Sequence, residues 1–104
     1  MKSLFLKYLG DNPHMRVLQH LIEGRDFDYT LTDLLHAGVS WGTLNNLIPQ
    51  LLKLELILKT RKIGRATLYK LNLSHPVIQH LVLLYDTILS KKLEDLHLKK
   101  VFSK

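Results

Sequence analysis

The sequence predicts a mainly α domain with a small antiparallel β-sheet and a long C-terminal helix. Three observations predict it. Apolar residues recur at helical spacing before residue 54, each stretch opened by a capping residue. Two strand-like runs, Leu56 to Lys62 and Ala66 to Asn72, flank a glycine-bearing turn. From Pro76 onward one long helix is predicted, its first half apolar over nearly the whole circumference and its second half charged with a thinner stripe of Leu93 and Leu96. At 104 residues the chain reads as a single domain, residues 1–104, large enough for one core.

Leu4, Phe5, Tyr8 and Leu9 fall on one side of a short helix over residues 2–9, within an N-terminal unit 1–10. Gly10 is expected to close it in the left-handed conformation. Asp11-Asn12-Pro13 is a start signal, with Asn12 as N-cap and Pro13 in the first helical position. The helix it opens runs to about Glu23, buries Val17, Leu18, Leu21 and Ile22, and ends at Gly24. Phe27 to Thr30 reads as a short extended segment, because Phe27 and Tyr29 alternate with polar residues. Thr32 is expected to cap a third helix through His36, with Asp33 favourably placed in its first turn.

Ala37-Gly38-Val39 makes a tight turn, and Ser40 caps a helix over residues 41–54. Leu44, Leu47, Ile48 and Leu51 form its apolar face. The opposite face carries Gly42, Asn46 and Lys53, with Asn45 and Gln50 on its flanks. A helix backed by a core and showing amides to solvent suits base-edge reading, since Asn and Gln pair bidentately with adenine. Thr43, Asn45, Asn46 and Gln50 are the candidate base readers. Pro49 lies inside this helix, where proline costs about 3 kcal/mol or more, so a kink or break is expected there. Trp41 in the first turn either packs on the neighbouring helix, the favoured role, or lies exposed against a thymine methyl or a sugar.

Charge is distributed unevenly. Residues 11–52 carry Arg16 and Arg25 against Asp11, Glu23, Asp26, Asp28 and Asp33, a net of −3. Residues 53–70 carry Lys53, Lys59, Arg61, Lys62, Arg65 and Lys70 against Glu55 alone, a net of +5. A positive field concentrated in one hairpin, turning at Ile63-Gly64-Arg65, is the footprint of a polyanion site. Those six cations and Ser40 are the candidate contacts to a DNA backbone.

The final helix, residues 75–100, has two apolar stripes in its first half where packing on one domain needs one. They run along Val77-Leu81-Leu84-Ile88 and Ile78-Val82-Tyr85-Leu89. One is expected to meet the same helix of a second subunit, helped by Leu4, Phe5 and Tyr8; the alternative is that the 2–9 helix covers it within one chain. The expected core is Val17, Leu18, Leu21, Leu34, Leu44, Leu47, Ile48, Leu51, Ile57, Tyr69 and Leu71.

A short helix, a glycine turn, an amide-faced helix and a basic hairpin together resemble the winged-helix regulators of the MarR/ArsR-like superfamily, particularly small archaeal ones. The matching residues are Ser40-x-x-Thr43, then Ile48, Leu51, Leu54, Leu56 and Ile57, then the hairpin Lys59 to Asn72. The resemblance covers roughly residues 12–90, with residues 12–72 as helix-turn-helix and wing. It implies a homodimer on double-stranded DNA, the 41–54 helix in the major groove and the 63–65 turn on the backbone or minor groove. The helix departs from that pattern in having no Arg or Lys before Lys53.

Other function classes find less support. Cysteine is absent, so there are no disulfides or thiolate metal sites, which fits a cytoplasmic protein. No apolar run is long enough to cross a membrane, and residues 1–9 lack a signal-peptide cleavage site. The six histidines include pairs five apart (His75, His80) and six apart (His14, His20), not the spacing of two ligands on one helical face. Neither a metal nor another cofactor is expected. With no phosphate loop, nucleophile elbow or spaced carboxylate pair, catalysis is not expected either. The remaining alternative is a winged-helix module that binds another protein without sequence-specific DNA binding.

Overall fold

The computed structural model describes residues 3–102, with side chains as far as residue 96. Residues 1, 2, 103 and 104, which the expected domain span includes, lie outside the described residues. Local caps set where the helices begin. Ser3 Oγ accepts from the Leu6 amide at 3.2 Å and opens α1 (Leu4–Leu9). Asn12 Oδ1 accepts from the Met15 amide at 2.9 Å and opens α2 (Pro13–Glu23), with Pro13 in its first turn. Gly10 ends α1 at φ 96 and ψ 140, a positive φ but outside the expected left-handed helical well.

Thr30, not Thr32, caps α3 (Leu31–Leu34). Its hydroxyl accepts from the Asp33 amide at 3.1 Å while the Asp33 carboxylate accepts from the Thr30 amide at 3.0 Å. The shift has a tertiary cause. Tyr29 is bridged to Tyr69 by two backbone bonds of 2.8 Å, which hold the chain extended up to Thr30, the conformation an N-cap needs. The expected 27–30 strand is therefore reduced to this single bridge. A 3₁₀ turn, Leu35–Ala37, follows α3, and Gly38 closes it at φ 84 in the left-handed region.

Ser40 caps α4 (Trp41–Lys53), which runs unbroken through Pro49. The expected break does not occur. Leu44, Leu47, Ile48 and Leu51 are buried on both sides of the proline. At about 1.5–3 kcal/mol for each large apolar side chain, their burial outweighs a proline penalty of about 3 kcal/mol. The carbonyl that loses its partner belongs to Asn45, on the exposed side, where water can bond it. The end of α4 is closed by bonds from the Leu56 amide to the Leu51 carbonyl and from the Glu55 amide to the Leu52 carbonyl, with Glu55 at φ 59.

Strands β1 (Ile57–Ile63) and β2 (Ala66–Leu71) pair antiparallel through the two-residue loop Gly64-Arg65. Gly64 has φ 62 and Arg65 does not share a positive φ, the pattern of a type II′ turn that matches the twist of a hairpin. Only Ile57 of β1 is buried, whereas β2 buries Leu68, Tyr69 and Leu71, so it is β1 and the hairpin tip that face solvent. All eleven residues expected in the core are buried, joined by Phe5, Leu6, Ile22, Ile78 and Ile88. On α1 the buried pair is Phe5 and Leu6, whereas Tyr8 is 66% exposed.

The long α5 (Pro76–Phe102) starts where His75 Nδ1 accepts from the Val77 amide at 3.1 Å. Ile78 and Ile88, expected at an interface between subunits, are instead buried within this chain. Leu81, Val82 and Tyr85 pack at the edge of the same core. Helix α1 covers part of this surface, with the Phe5 and Tyr85 rings edge to face at 5.5 Å, and Arg25 clamps Asp86 by two bonds of 2.8 and 3.0 Å. Val77, Leu84 and Leu89 of the expected interface remain exposed. Leu89 lies beside Leu4 and Phe5 yet stays exposed, and beyond it Leu93 and Leu96 carry the core-facing stripe onward into solvent. Among the described residues, no helix is long and apolar enough to cross a membrane. The result is a mostly helical, winged-helix-like α+β fold with a two-stranded antiparallel sheet and a long C-terminal helix.

Candidate nucleic-acid interface

Helix α4 holds the expected base readers on its outer side because its other side is the core. Asn45, Asn46 and Gln50 are exposed, and Thr43 is half-buried. Thr43, Asn46 and Gln50 line a groove of about 310 Å³ shared with Asn12 and His14 at the start of α2; Asn45 lies outside it. Gln50 Nε2 donates back to the Asn46 carbonyl at 3.2 Å. Ser40 and Thr43 bond each other, the Ser40 hydroxyl donating to Thr43 Oγ1 at 2.8 Å while accepting from the Thr43 amide. Arg16 steadies the turn leading into α4 by donating to the Gly38 carbonyl at 2.9 Å.

The wing's cations divide into two groups. Lys53, Lys59, Lys62, Arg65 and Lys70 have no ion-pair or hydrogen-bond partner among the described residues. All but the half-buried Lys70 are exposed. Arg61 differs. Its Nε donates to Asp28 Oδ2 at 2.8 Å and its Nη2 to Asp28 Oδ1 at 3.1 Å. The Thr60 hydroxyl donates to the same carboxylate at 2.6 Å. Adjacent strand residues normally point to opposite faces. Here the register shifts between Lys59 and Arg61, so Thr60 and Arg61 both reach Asp28. The guanidinium and then the hydroxyl hold the Asp28 carboxyl down to about 2, and the same bond raises Arg61 above the usual arginine value.

Asp28 was absent from the residues expected at the site, and no local spacing rule links it to a strand more than thirty residues away. Trp41 also departs from its favoured role. It is 50% exposed instead of packed away, and it lines a cleft beside the wing. Three carboxylates are paired within the chain, Asp11 with Arg16, Asp28 with Arg61 and Asp86 with Arg25, while Asp33 caps α3.

Histidine chemistry is local. His75 Nδ1 caps α5, His80 Nδ1 bonds the Pro76 carbonyl at 2.8 Å, and His20 packs edge to face on Tyr29 at 5.3 Å. Among the described residues no group of three or more His, Asp or Glu side chains is placed to hold a metal ion.

No family model and no curated protein matches the chain. A solved structure does: the crystal structure of M. tuberculosis Rv0081 aligns with a TM-score of 0.57 and 25% identity, over 88% of this chain and 87% of that one. The likeness extends over most of both chains and supports the winged-helix-like assignment.

Proposed function

We propose that this chain is a DNA-binding transcriptional regulator of the MarR/ArsR-like winged-helix kind and not an enzyme. The observation that carries the reading is the set of five unpartnered cations on and beside the wing, next to the exposed amides of α4. Cations without internal partners bind phosphates by releasing the counterions condensed on DNA, and a neutral amide face gives base edges something to pair with. The wing supplies affinity through Lys59, Lys62 and Arg65, flanked by Lys53 and Lys70. Selectivity comes from Asn45, Asn46 and Gln50. Titration of a labelled mixed-sequence duplex at several salt concentrations tests this. Binding should weaken steeply with salt; a flat or absent response rejects the reading.

The active species is proposed to be a homodimer. Leu89, Leu93 and Leu96, at spacings of four and three, are 43%, 58% and 53% exposed along α5. An apolar stripe left in water favours association with an equivalent stripe, and a second copy of α5 supplies one. Sedimentation should give a dimer at micromolar concentration. Leu93→Glu combined with Leu96→Glu should give a monomer, and a wild-type monomer would remove the claim.

One observation favours a second reading, a protein-binding module: α4 bears no cation before Lys53, and Arg61 is already paired. The same titration separates the two, since an adaptor of this kind has no need to bind duplex DNA.

A further inference from the structure

Beside the wing, Trp41 at the start of α4 and Arg65 at the hairpin tip border one cleft of about 270 Å³, together with Thr32, Thr67 and Tyr69. Its chemistry is one-sided. The Arg65 guanidinium, the Trp41 indole N–H and the hydroxyls of Thr32 and Thr67 have no hydrogen-bond partner among the described residues. Four donor-bearing residues line a space bordered by no carboxylate, which suits an anionic oxygen. The half-exposed indole adds a flat apolar wall of the size of a sugar ring.

We propose that this cleft seats one deoxyribose–phosphate unit of the duplex, the phosphate between Arg65 and the threonine hydroxyls and the sugar against Trp41. The inference rests on the DNA-binding reading and assigns Trp41, Thr32 and Thr67 a contact within it. A single strand is the poorer occupant. Proteins that hold single strands stack successive bases on successive aromatic side chains, and Tyr69, the other aromatic residue here, is only 8% exposed. A phosphate seated between α4 and the hairpin tip also fixes the distance between the two elements on the DNA, so the cleft sets the register with which α4 meets the base edges.

Trp41 is the chain's one tryptophan, so its fluorescence reports this cleft alone. The test follows Trp41 emission and its quenching by acrylamide while anisotropy of a labelled duplex independently reports binding at low salt. Expected is an emission change with the same midpoint as the anisotropy, and quenching reduced at least about two-fold at saturation. Trp41→Ala, with its fold checked by circular dichroism, should weaken duplex binding at least about five-fold, the scale of one lost aromatic contact. Its salt dependence should be unchanged, because no charge is removed. Anisotropy that saturates while Trp41 emission and quenching stay constant overturns the proposal and leaves the DNA-binding reading standing. Protection of Trp41 by the single strand and not by the duplex overturns it as well. Absence of any anisotropy change overturns both.

Discussion

Helix α4 and the β1–β2 wing are both anchored by apolar burial, yet the wing adds polar side-chain ties to the body that the outer face of α4 lacks. Four buried apolar residues fasten α4 to the core, and its exposed face is neutral until Lys53. The wing buries Ile57 on β1 and Leu68, Tyr69 and Leu71 on β2, and carries a row of cations. Its base is fixed by polar ties: the Tyr29–Tyr69 bridge on one edge of β2, and Asp28 gripping Thr60 and Arg61. Apolar burial is strong and leaves the outer face free to carry any polar residue. Charge-assisted bonds at the surface are weaker and consume the groups that make them. The amides of Asn45 and Asn46 therefore stay free for a ligand, while Gln50 donates back to its own helix and the wing gives up one arginine to be held in place.

The largest expected effect breaks the helix side of this contrast. Leu51→Ala removes a fully buried side chain behind α4 and should cost about 2–5 kcal/mol in chemical denaturation. A loss below about 1 kcal/mol would mean that α4 is not anchored by its core face. The wing's attachment is tested next by Gly24→Ala. A Cβ at Gly24 would sit 1.6 Å from the Tyr29 hydroxyl, so the ring must move and the bridge to β2 must loosen. Overpacking of this kind costs about 1–3 kcal/mol. Amide exchange at Tyr69, whose N–H bonds the Tyr29 carbonyl, should accelerate more than exchange within α4.

Within the wing, the two arginines should separate. Arg65→Ala should flatten the salt dependence of duplex binding by about one unit, since each neutralised phosphate contributes about 0.9. Arg61→Ala should leave that slope near the parent value, because its guanidinium is already bonded to Asp28. Equal slopes for both variants would show that the Asp28 pairing opens on DNA.

The smallest effect concerns acid. Asp28 is held at about 2 in the folded chain, below the ordinary carboxylate value of about 4. A depressed folded value means that its stabilisation is fully present above about 4 and is lost as the pH falls toward 2. Thermal unfolding of Asp28→Asn should therefore show a smaller drop between pH 4 and pH 2 than the parent. An identical drop would remove Asp28 as the wing's tie.

Features that depend on neighbours along the chain are legible in the sequence alone. Asn12 with Pro13, and Ser40, are caps because a side-chain oxygen reaches an amide three residues on, whatever the rest of the chain does. The glycine of the hairpin turn is legible for the same reason, since a positive φ is a property of one residue. The eleven core residues followed from periodicity, which needs only the direction of the core.

What was missed depends on residues distant in sequence. Thr30 displaces Thr32 as a cap because Tyr69 holds Tyr29 extended. Pro49 stays within a continuous helix because the core grips both sides of it. Arg61 is bonded to Asp28 because a register shift aims it there. Ile78 and Ile88 face inward because α1, α2 and α4 together set the direction from which α5 is covered. Periodicity can count the apolar stripes on a helix, but it carries no information about which stripe a neighbour will meet. That is settled only when the elements pack and exclude water from one side.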